Sequence, residues 1–318
     1  MTSRILVAAG AITALGVLLI AAGVARDALV NPAGYVHPRP RGFRYHDDPW
    51  TRHRLAFDDV TLTDNGRGAL RGWLVPGAAD ATRAVVWLHG TGSDRTHALP
   101  FLPALHEAGA AVLAVDLREN GLSDGAGRGS GLGMREAEDA DRAVAELWRR
   151  GYRTMVLMGV SLGATAAIIA GAQNPRVAAV IAEDPVASFL AFRAAILRRR
   201  FGRLGLDPPA ALVNWWGDAV VRLAMAHQGM QTLVDAEAAA GHLGPRPLLI
   251  INGAADTVVP PEHSTRIFLA AAGPRDLLRI PGADHGQSIV VAPQLVTDRI
   301  VAFIRSLPEG RPVMSVAD

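Results

Sequence analysis

Along most of the chain, short runs of continuous apolarity alternate with longer stretches whose apolar residues recur at helical spacing. The runs Ala84–Leu88, Ala111–Val115, Thr154–Met158, Val177–Ala182, Pro247–Ile251 and Asp276–Ile280 have strand length. Unbroken rather than alternating apolarity implies burial on both faces, as in a parallel sheet covered by helices. Ahead of them, Leu55–Thr63 and Ala69–Val75 flank Asp64-Asn65-Gly66. Asn-Gly supplies the positive φ angles of a tight turn, so this pair reads as an antiparallel hairpin. Helical spacing marks Leu99–Ala108, Met134–Arg150, Leu162–Gln173, Pro261–Ala271 and Pro293–Ser306. The order predicts an α/β domain over 55–306, its sheet mostly parallel with an antiparallel edge.

Two stretches depart from this rhythm. Residues 188–243 are helical in composition and contain no strand pattern, too long for an ordinary connection and predicted to form a helical cap over the carboxyl edge of the sheet. Ile5 to Ala25 carries no charge and is bounded by Arg4 and Arg26. A helix of that length spans roughly 30 Å, so residues 1–30 are expected to form a single-pass transmembrane anchor, placing the protein at a membrane. A cleaved secretory signal is the alternative, which would make the protein secreted; its apolar core is normally shorter. Residues 31–54, with Pro32, Pro38, Pro40 and Pro49, read as a linker, and 307–318 as a tail.

Composition narrows the chemistry. The chain has 318 residues and no Cys, which excludes disulfides, thiolate nucleophiles and Cys-ligated metals. Lys and Arg together number 32, all of them Arg, against 30 Asp and Glu. The pI of about 9.6 therefore reflects the high pKa of Arg rather than a cationic surface, and nucleic-acid binding is not suggested. His37, His46 and His53 lack metal-ligand spacing, and no H-E-x-x-H occurs. Neither a metal nor a cofactor is expected. The alternating Gly125, Gly127, Gly129, Gly131 and Gly133 do not satisfy G-x-G-x-x-G and read as a mobile loop.

The chemistry lies in four short pieces. Gly159-Val160-Ser161-Leu162-Gly163 sits between a strand pattern and an apolar helix pattern. A serine there needs a sharp turn that pushes its hydroxyl out at a helix N-terminus, and flanking glycines let the backbones pass. His89-Gly90-Thr91-Gly92 follows a strand and offers backbone N–H groups to an oxyanion. Asp256 follows the strand ending in Ile251-Asn252-Gly253, and His285 follows the last strand in Pro281-Gly282-Ala283-Asp284-His285-Gly286. Ser, Asp, His is the chain order of one known arrangement of nucleophile, acid and base.

From about residue 55 to 306 the chain resembles the α/β-hydrolase superfamily, within it serine hydrolases of the BAAT, ABHD and S9/S33-peptidase-like groups. The resemblance rests on His89-Gly90, the run Asp116 to Gly125, Gly159 to Gly163, Asp256 and His285. It implies an α/β-hydrolase fold, a catalytic Ser161–His285–Asp256 triad, and oxyanion donors at the backbone N–H groups of Thr91 and Leu162. Glu119 departs from the pattern, standing where Gly is common. Asp184, after the sixth strand, competes with Asp256 as the acid, while Asp116, Asp124 and Asp284 suit turns. Arg198-Arg199-Arg200 reads as a solvated helix face, and Trp215-Trp216 either packs or lines an acyl pocket. The expected activity is hydrolysis of a lipid-like or small acyl ester through an acyl-serine. An S9/S33-like peptidase and a non-catalytic hydrolase-like binding protein are the alternatives.

Overall fold

A computed structural model describes residues 14–19, 21–23, 25–26, 44–63, 66, 68–78 and 81–309. An eight-stranded sheet in the order β1-β2-β4-β3-β5-β6-β7-β8 forms its centre. The strands are β1 (Asp58–Leu62), β2 (Leu70–Val75), β3 (Arg83–Leu88), β4 (Ala111–Val115), β5 (Thr154–Val160), β6 (Val177–Glu183), β7 (Leu248–Gly253) and β8 (Arg275–Ile280). β2 runs antiparallel to both β1 and β4, and the other pairings are parallel. Asp64 and Asn65 of the expected hairpin turn lie outside the described residues, but the strands they join pair in register from Asp58↔Leu74 to Leu62↔Leu70.

The period of two divides each central strand between two cores. Ala84, Val86 and Leu88 of β3 face one cluster, and Val85 and Trp87 face the other. The first core is closed by α3 (Met134–Arg149), α4 (Leu162–Gln173), α7 (Ala236–Ala240) and α8 (Glu262–Ala270). The second is closed by a 3-10 turn (Arg95–Phe101), α2 (Leu102–Glu107), α9 (Ser288–Val291) and α10 (Pro293–Ser306). Burial on both faces is what the unbroken apolar runs require, and β3 to β7 show it, whereas β8, at the sheet edge and carrying Asp276 and Arg279, is only partly buried. α4 is apolar all round because it lies buried against the sheet's centre.

Between β6 and α7 the chain makes α5 (Phe189–Arg203) and α6 (Ala210–Gln228), packed on each other. Their inner faces join Leu162, Val186 and Val259 in a third apolar cluster. Trp216 turns inward, whereas Trp215 is 62% exposed. Arg198 reaches Asn214 on the outer side, and Arg199 donates to the Thr257 carbonyl.

The expected membrane anchor is not supported. No helix among the described residues is long and apolar enough to cross a membrane, so the membrane localisation read from residues 5–25 is withdrawn. Residues 14–19 and 21–23 are helical, and the rest of that apolar run up to position 24 lies outside the described residues. At its end Ala25 is buried among Leu162, Val186 and Phe189, and its carbonyl accepts from Arg193 Nη1 at 3.2 Å. Apolar residues can meet protein as well as lipid, and here the end of the run meets protein. Within the presumed linker, Asp48 caps a short helix, α1 (Pro49–His53), by accepting from Thr51 N at 2.7 Å, and Pro49 opens the helix where its missing N–H costs nothing.

Candidate active site

Ser161 joins β5 directly to α4 with φ 56° and ψ −116°, a conformation that L residues rarely adopt. Three close approaches hold it there. A Cβ on Gly163 would lie 2.2 Å from the Leu88 carbonyl oxygen, and one on Gly159 would lie 2.4 Å from the Gly163 carbonyl carbon. Only glycine fits at both positions. The Ser161 N–H also donates to the Glu183 carbonyl at 2.8 Å, tying the turn to the end of β6. The side chain lies at the N-terminus of α4, where the helix dipole favours developing negative charge.

The His89-Gly90 loop passes alongside. A Cβ on Gly90 would sit 3.4 Å from Ser161 Cβ. His89 is buried, and its Nε2 accepts from the Leu117 N–H at 3.0 Å. The ring proton therefore lies on Nδ1 and donates to the Gly90 carbonyl at 2.8 Å. Burial lowers the His89 pKa, which keeps this tautomer uncharged. In a trans peptide, a carbonyl held toward His89 turns the next N–H, that of Thr91, the opposite way. No local sequence signal announced this use of His89.

Asp256 and His285 come together from separate loops. His285 Nδ1 donates to Asp256 Oδ2 at 2.7 Å, which leaves Nε2 as an acceptor. Asp256 is itself oriented by N–H donation from Val258 and Val259 to Oδ1, at 2.7 and 2.8 Å. Asp284 does not meet the imidazole by hydrogen bond. Its Oδ1 accepts from the Thr257 and His285 N–H groups, at 2.7 and 2.8 Å, bracing the acid loop against the base loop. Those two donors hold its carboxyl below the usual range. Burial alone would lower the His285 pKa, but the hydrogen bond to Asp256 and the charges of Asp256, Asp184 and Glu183 outweigh it and raise the pKa above the ordinary value.

Asp184, the competing acid, lies 3.9 Å from His285 Nδ1, beyond hydrogen-bond distance. Asp184, Asp256 and His285 are close enough to share an ion. Their oxygens and ring nitrogen, however, already face N–H donors and one another. The cluster is thus a hydrogen-bonded one, a poor match to a cation's need for free lone pairs.

The Gly-rich run 125–133 is held rather than loose. Glu119, at φ 66°, turns its carboxylate onto the N–H groups of Ala126, Gly127 and Arg128, at 2.7, 3.0 and 3.0 Å. A Cβ on Gly125 would meet Glu119 Oε2 at 2.3 Å, so one departure from the family pattern matches one glycine. Gln228, at the end of α6, donates through Nε2 to the carbonyls of Arg128, Gly129 and Ser130.

Comparison with known proteins agrees with this architecture. The chain is 27% identical to the uncharacterized protein YfhR of Escherichia coli O157:H7 over 247 residues, 76% of each chain. It is 35% identical to the polyketide transferase ATR5 of Stachybotrys chlorohalonatus over 169 residues, half of this chain and 57% of that one. Among solved structures, the esterase Pf2001 of Pyrococcus furiosus superposes with a TM-score of 0.64 at 22% identity, over 85% of this chain and 99% of that one. Residues 85–299, which include Ser161, Asp256 and His285, match the family model described as the alpha/beta hydrolase family. The protein belongs to the alpha/beta hydrolase family.

Proposed function

We propose that the protein is a serine hydrolase that cleaves an uncharged ester through an acyl-serine intermediate. The observation that carries this reading is the 2.7 Å hydrogen bond from His285 Nδ1 to Asp256. With its proton held on Nδ1, the ring keeps a basic Nε2; the loop that carries it approaches the positive-φ serine turn, a Cβ on Gly286 lying 3.4 Å from Val160 Cγ1. His285 takes the Ser161 proton as the oxygen attacks the ester carbonyl. Asp256 keeps the tautomer and stabilises the imidazolium. The N–H groups of Thr91 and Leu162 receive the oxyanion, the first aimed by the His89–Gly90 hydrogen bond and the second at the start of α4. His285 then protonates the leaving alcohol, takes a proton from water, and returns it to Ser161 as the acid departs.

The apolar wall favours an acyl chain over a charged substrate. Leu162, Val186, Phe189 and Val259 belong to one cluster reaching from the nucleophile turn to the acid loop, and α5 and α6 close it as a cap. The esterase-named structural relative points the same way. A second reading, transfer of the acyl group to an alcohol instead of to water, is favoured by the 35% identity to a protein named polyketide transferase.

Labelling with a fluorophosphonate and turnover of p-nitrophenyl esters of graded acyl length test the reading. Labelling and turnover are expected in the wild type and should vanish in Ser161→Ala, with turnover falling by roughly 10⁴-fold or more. Folded wild type that neither labels nor turns over any ester would overturn it. An added primary alcohol that diverts product from acid to ester at constant total turnover would identify the transferase reading.

A further inference from the structure

We infer that Glu183 and Asp184, consecutive carboxyl residues at the end of β6, are positioning residues that hold the nucleophile, acid and base loops together and supply a second negative charge to the imidazolium of His285. The inference rests on the acyl-serine reading above and adds to it a pair with no part in the Ser–His–Asp relay.

Each of the three catalytic loops is tied to this dipeptide. The Glu183 carbonyl accepts from Ser161 N–H at 2.8 Å. Asp184 Oδ1 accepts from Gly253 N–H at 2.9 Å and from Asn252 Nδ2 at 3.0 Å, where the chain leaves β7 toward Asp256. Asp184 Oδ2 accepts from Gly286 N–H at 2.8 Å, and Glu183 Oε1 from Ser288 N–H at 3.1 Å, on either side of the loop after His285. Both carboxyl residues are fully buried, and Asp184 adopts φ 49°. Asp is one of the few L residues that accept such a φ, and here its side chain is fixed from both oxygens. Its three hydrogen bonds and the one to Glu183 reach the two loops that carry Asp256 and His285.

The charge has one place to act. Asp184 Oδ2 is 3.9 Å from His285 Nδ1. The titratable groups acting on the imidazole are Asp256 after β7, Asp184 and Glu183 at the end of β6, Asp284 on its own loop, and His97 of the 3-10 turn after β3. His97 is held uncharged near neutral pH, its pKa lowered to about 4 by burial and by the neighbouring His89 and His285. Asp284 spends its oxygens on backbone N–H groups. Asp184 is therefore the carboxylate, after Asp256, placed to stabilise a charged ring in a buried setting where Coulomb effects are strong.

The test is Asp184→Asn in the full chain. An amide has one acceptor oxygen where the carboxylate has two, so either Gly253 or Gly286 loses its partner, and the charge is gone. With p-nitrophenyl butyrate, kcat is expected to fall roughly 10²-fold, the cost of a misplaced catalytic group, while KM stays within about threefold. The acid limb of kcat/KM should move to lower pH, because a neutral neighbour no longer favours protonated His285. An unmoved acid limb, or an unchanged kcat, overturns the inference. A fall in kcat that only tracks the fraction unfolded also overturns it. If Asp184→Asn does not fold, Glu183→Gln carries the test. It keeps an acceptor for Ser288 N–H, should lower kcat several-fold at unchanged KM while leaving the acid limb in place, since a Glu183 raised to about 7 is already mostly protonated there, and overturns the inference if kcat does not change. Fluorophosphonate labelling separates the two levels. Wild type that fails to label sinks the acyl-serine reading, whereas wild type and Asp184→Asn labelling at equal rates sinks this inference alone.

Discussion

Two aspartates leave the carboxyl ends of buried strands in this sheet, fully buried, and they are treated in opposite ways. Asp116, after β4, meets a fixed cation. Its Oδ2 lies 2.8 Å from Arg95 Nη2 and also accepts from Tyr45 Oη and Leu122 N–H, at 3.0 and 2.7 Å, while Oδ1 takes Arg95 N–H at 2.8 Å. Arg95 is itself packed against the rings of Tyr45 and Trp73. Asp184, after β6, has backbone donors and, among the described residues, an ion-pair partner only in His285. A buried charge with a permanent counter-ion is scaffold, since nothing in a reaction cycle changes it. A buried charge whose counter-ion exists only while an imidazole is protonated is coupled to the proton transfer itself.

The largest expected effect separates loss of chemistry from loss of fold. Asp256→Asn should lower kcat by roughly 10⁴-fold, because the His285 ring loses its enforced tautomer, with little change in the urea midpoint. Asp116→Asn should do the reverse. Removing the partner of a buried guanidinium costs about 3–5 kcal/mol, softened where the exposed Asp59, 3.6 Å from Arg95, can take part of the charge. Activity per folded molecule should stay within about tenfold of wild type. Equal losses of kcat in the two variants would erase the distinction drawn above.

A second break is in pH. Glu183 sits beside Asp184 without a fixed cation, and burial, then the charge of Asp184, raises its pKa from 4.5 to about 7. A carboxyl whose folded pKa lies above its unfolded one binds its proton more tightly when folded. Its stabilising contribution is complete below pH 4.5 and is lost as pH rises to 7, a fall of roughly 3 kcal/mol. His285, whose folded pKa is also raised, acts in the same direction from its ordinary value upward. Glu183→Gln should remove most of the decline, so urea unfolding at pH 5 and pH 8 should show the variant less stable relative to wild type at pH 5 than at pH 8. Parallel losses at both pH values would mean that Glu183 is charged or uncharged throughout.

The difference between the two aspartates also marks what a one-dimensional reading can reach. Strands buried on both faces announce themselves by unbroken apolarity, and the expected strands recur in the sheet within two residues at each end, except the first hairpin strand, which begins three residues later than expected, at Asp58. The Gly159–Gly163 turn is legible because the contacts of Gly159 are local in sequence, while Leu88 and His89 are the distant partners of Gly163. Asp256 and His285 are legible as loop residues after successive strands. Glu183 and Asp184 are not, because their meaning lies in N–H groups of Gly253, Gly286 and Ser288, far along the chain. The signal that was present is an acidic pair closing an apolar strand, a costly thing to bury without a use. The run 5–25 failed for the opposite reason, since apolarity alone does not make a spanning helix, and no helix among the described residues is long and apolar enough to be one.

The smallest expected effect concerns a third carboxylate, which has neither a fixed cation nor a catalytic partner among the described residues. Glu119 spends both oxygens on the N–H groups of residues 126–128. Glu119→Gln keeps one oxygen able to serve Ala126 and Arg128 but turns an amide toward the Gly127 N–H. The loss is a charge-assisted bond in a loop whose residues 124–128 are exposed, about 1 kcal/mol in urea. Because Gln228 still holds the carbonyls of Arg128 to Ser130, the loop should open locally rather than unfold the domain. Tryptic cleavage after Arg128 should accelerate by roughly fivefold, the kinetic equivalent of that energy. The acid limb of kcat/KM should stay in place, in contrast to Asp184→Asn. A shift of that limb by Glu119→Gln would show that His285 senses carboxylates well beyond its contacts, and the separation between scaffold and catalytic charges would have to be drawn by distance instead of by partner.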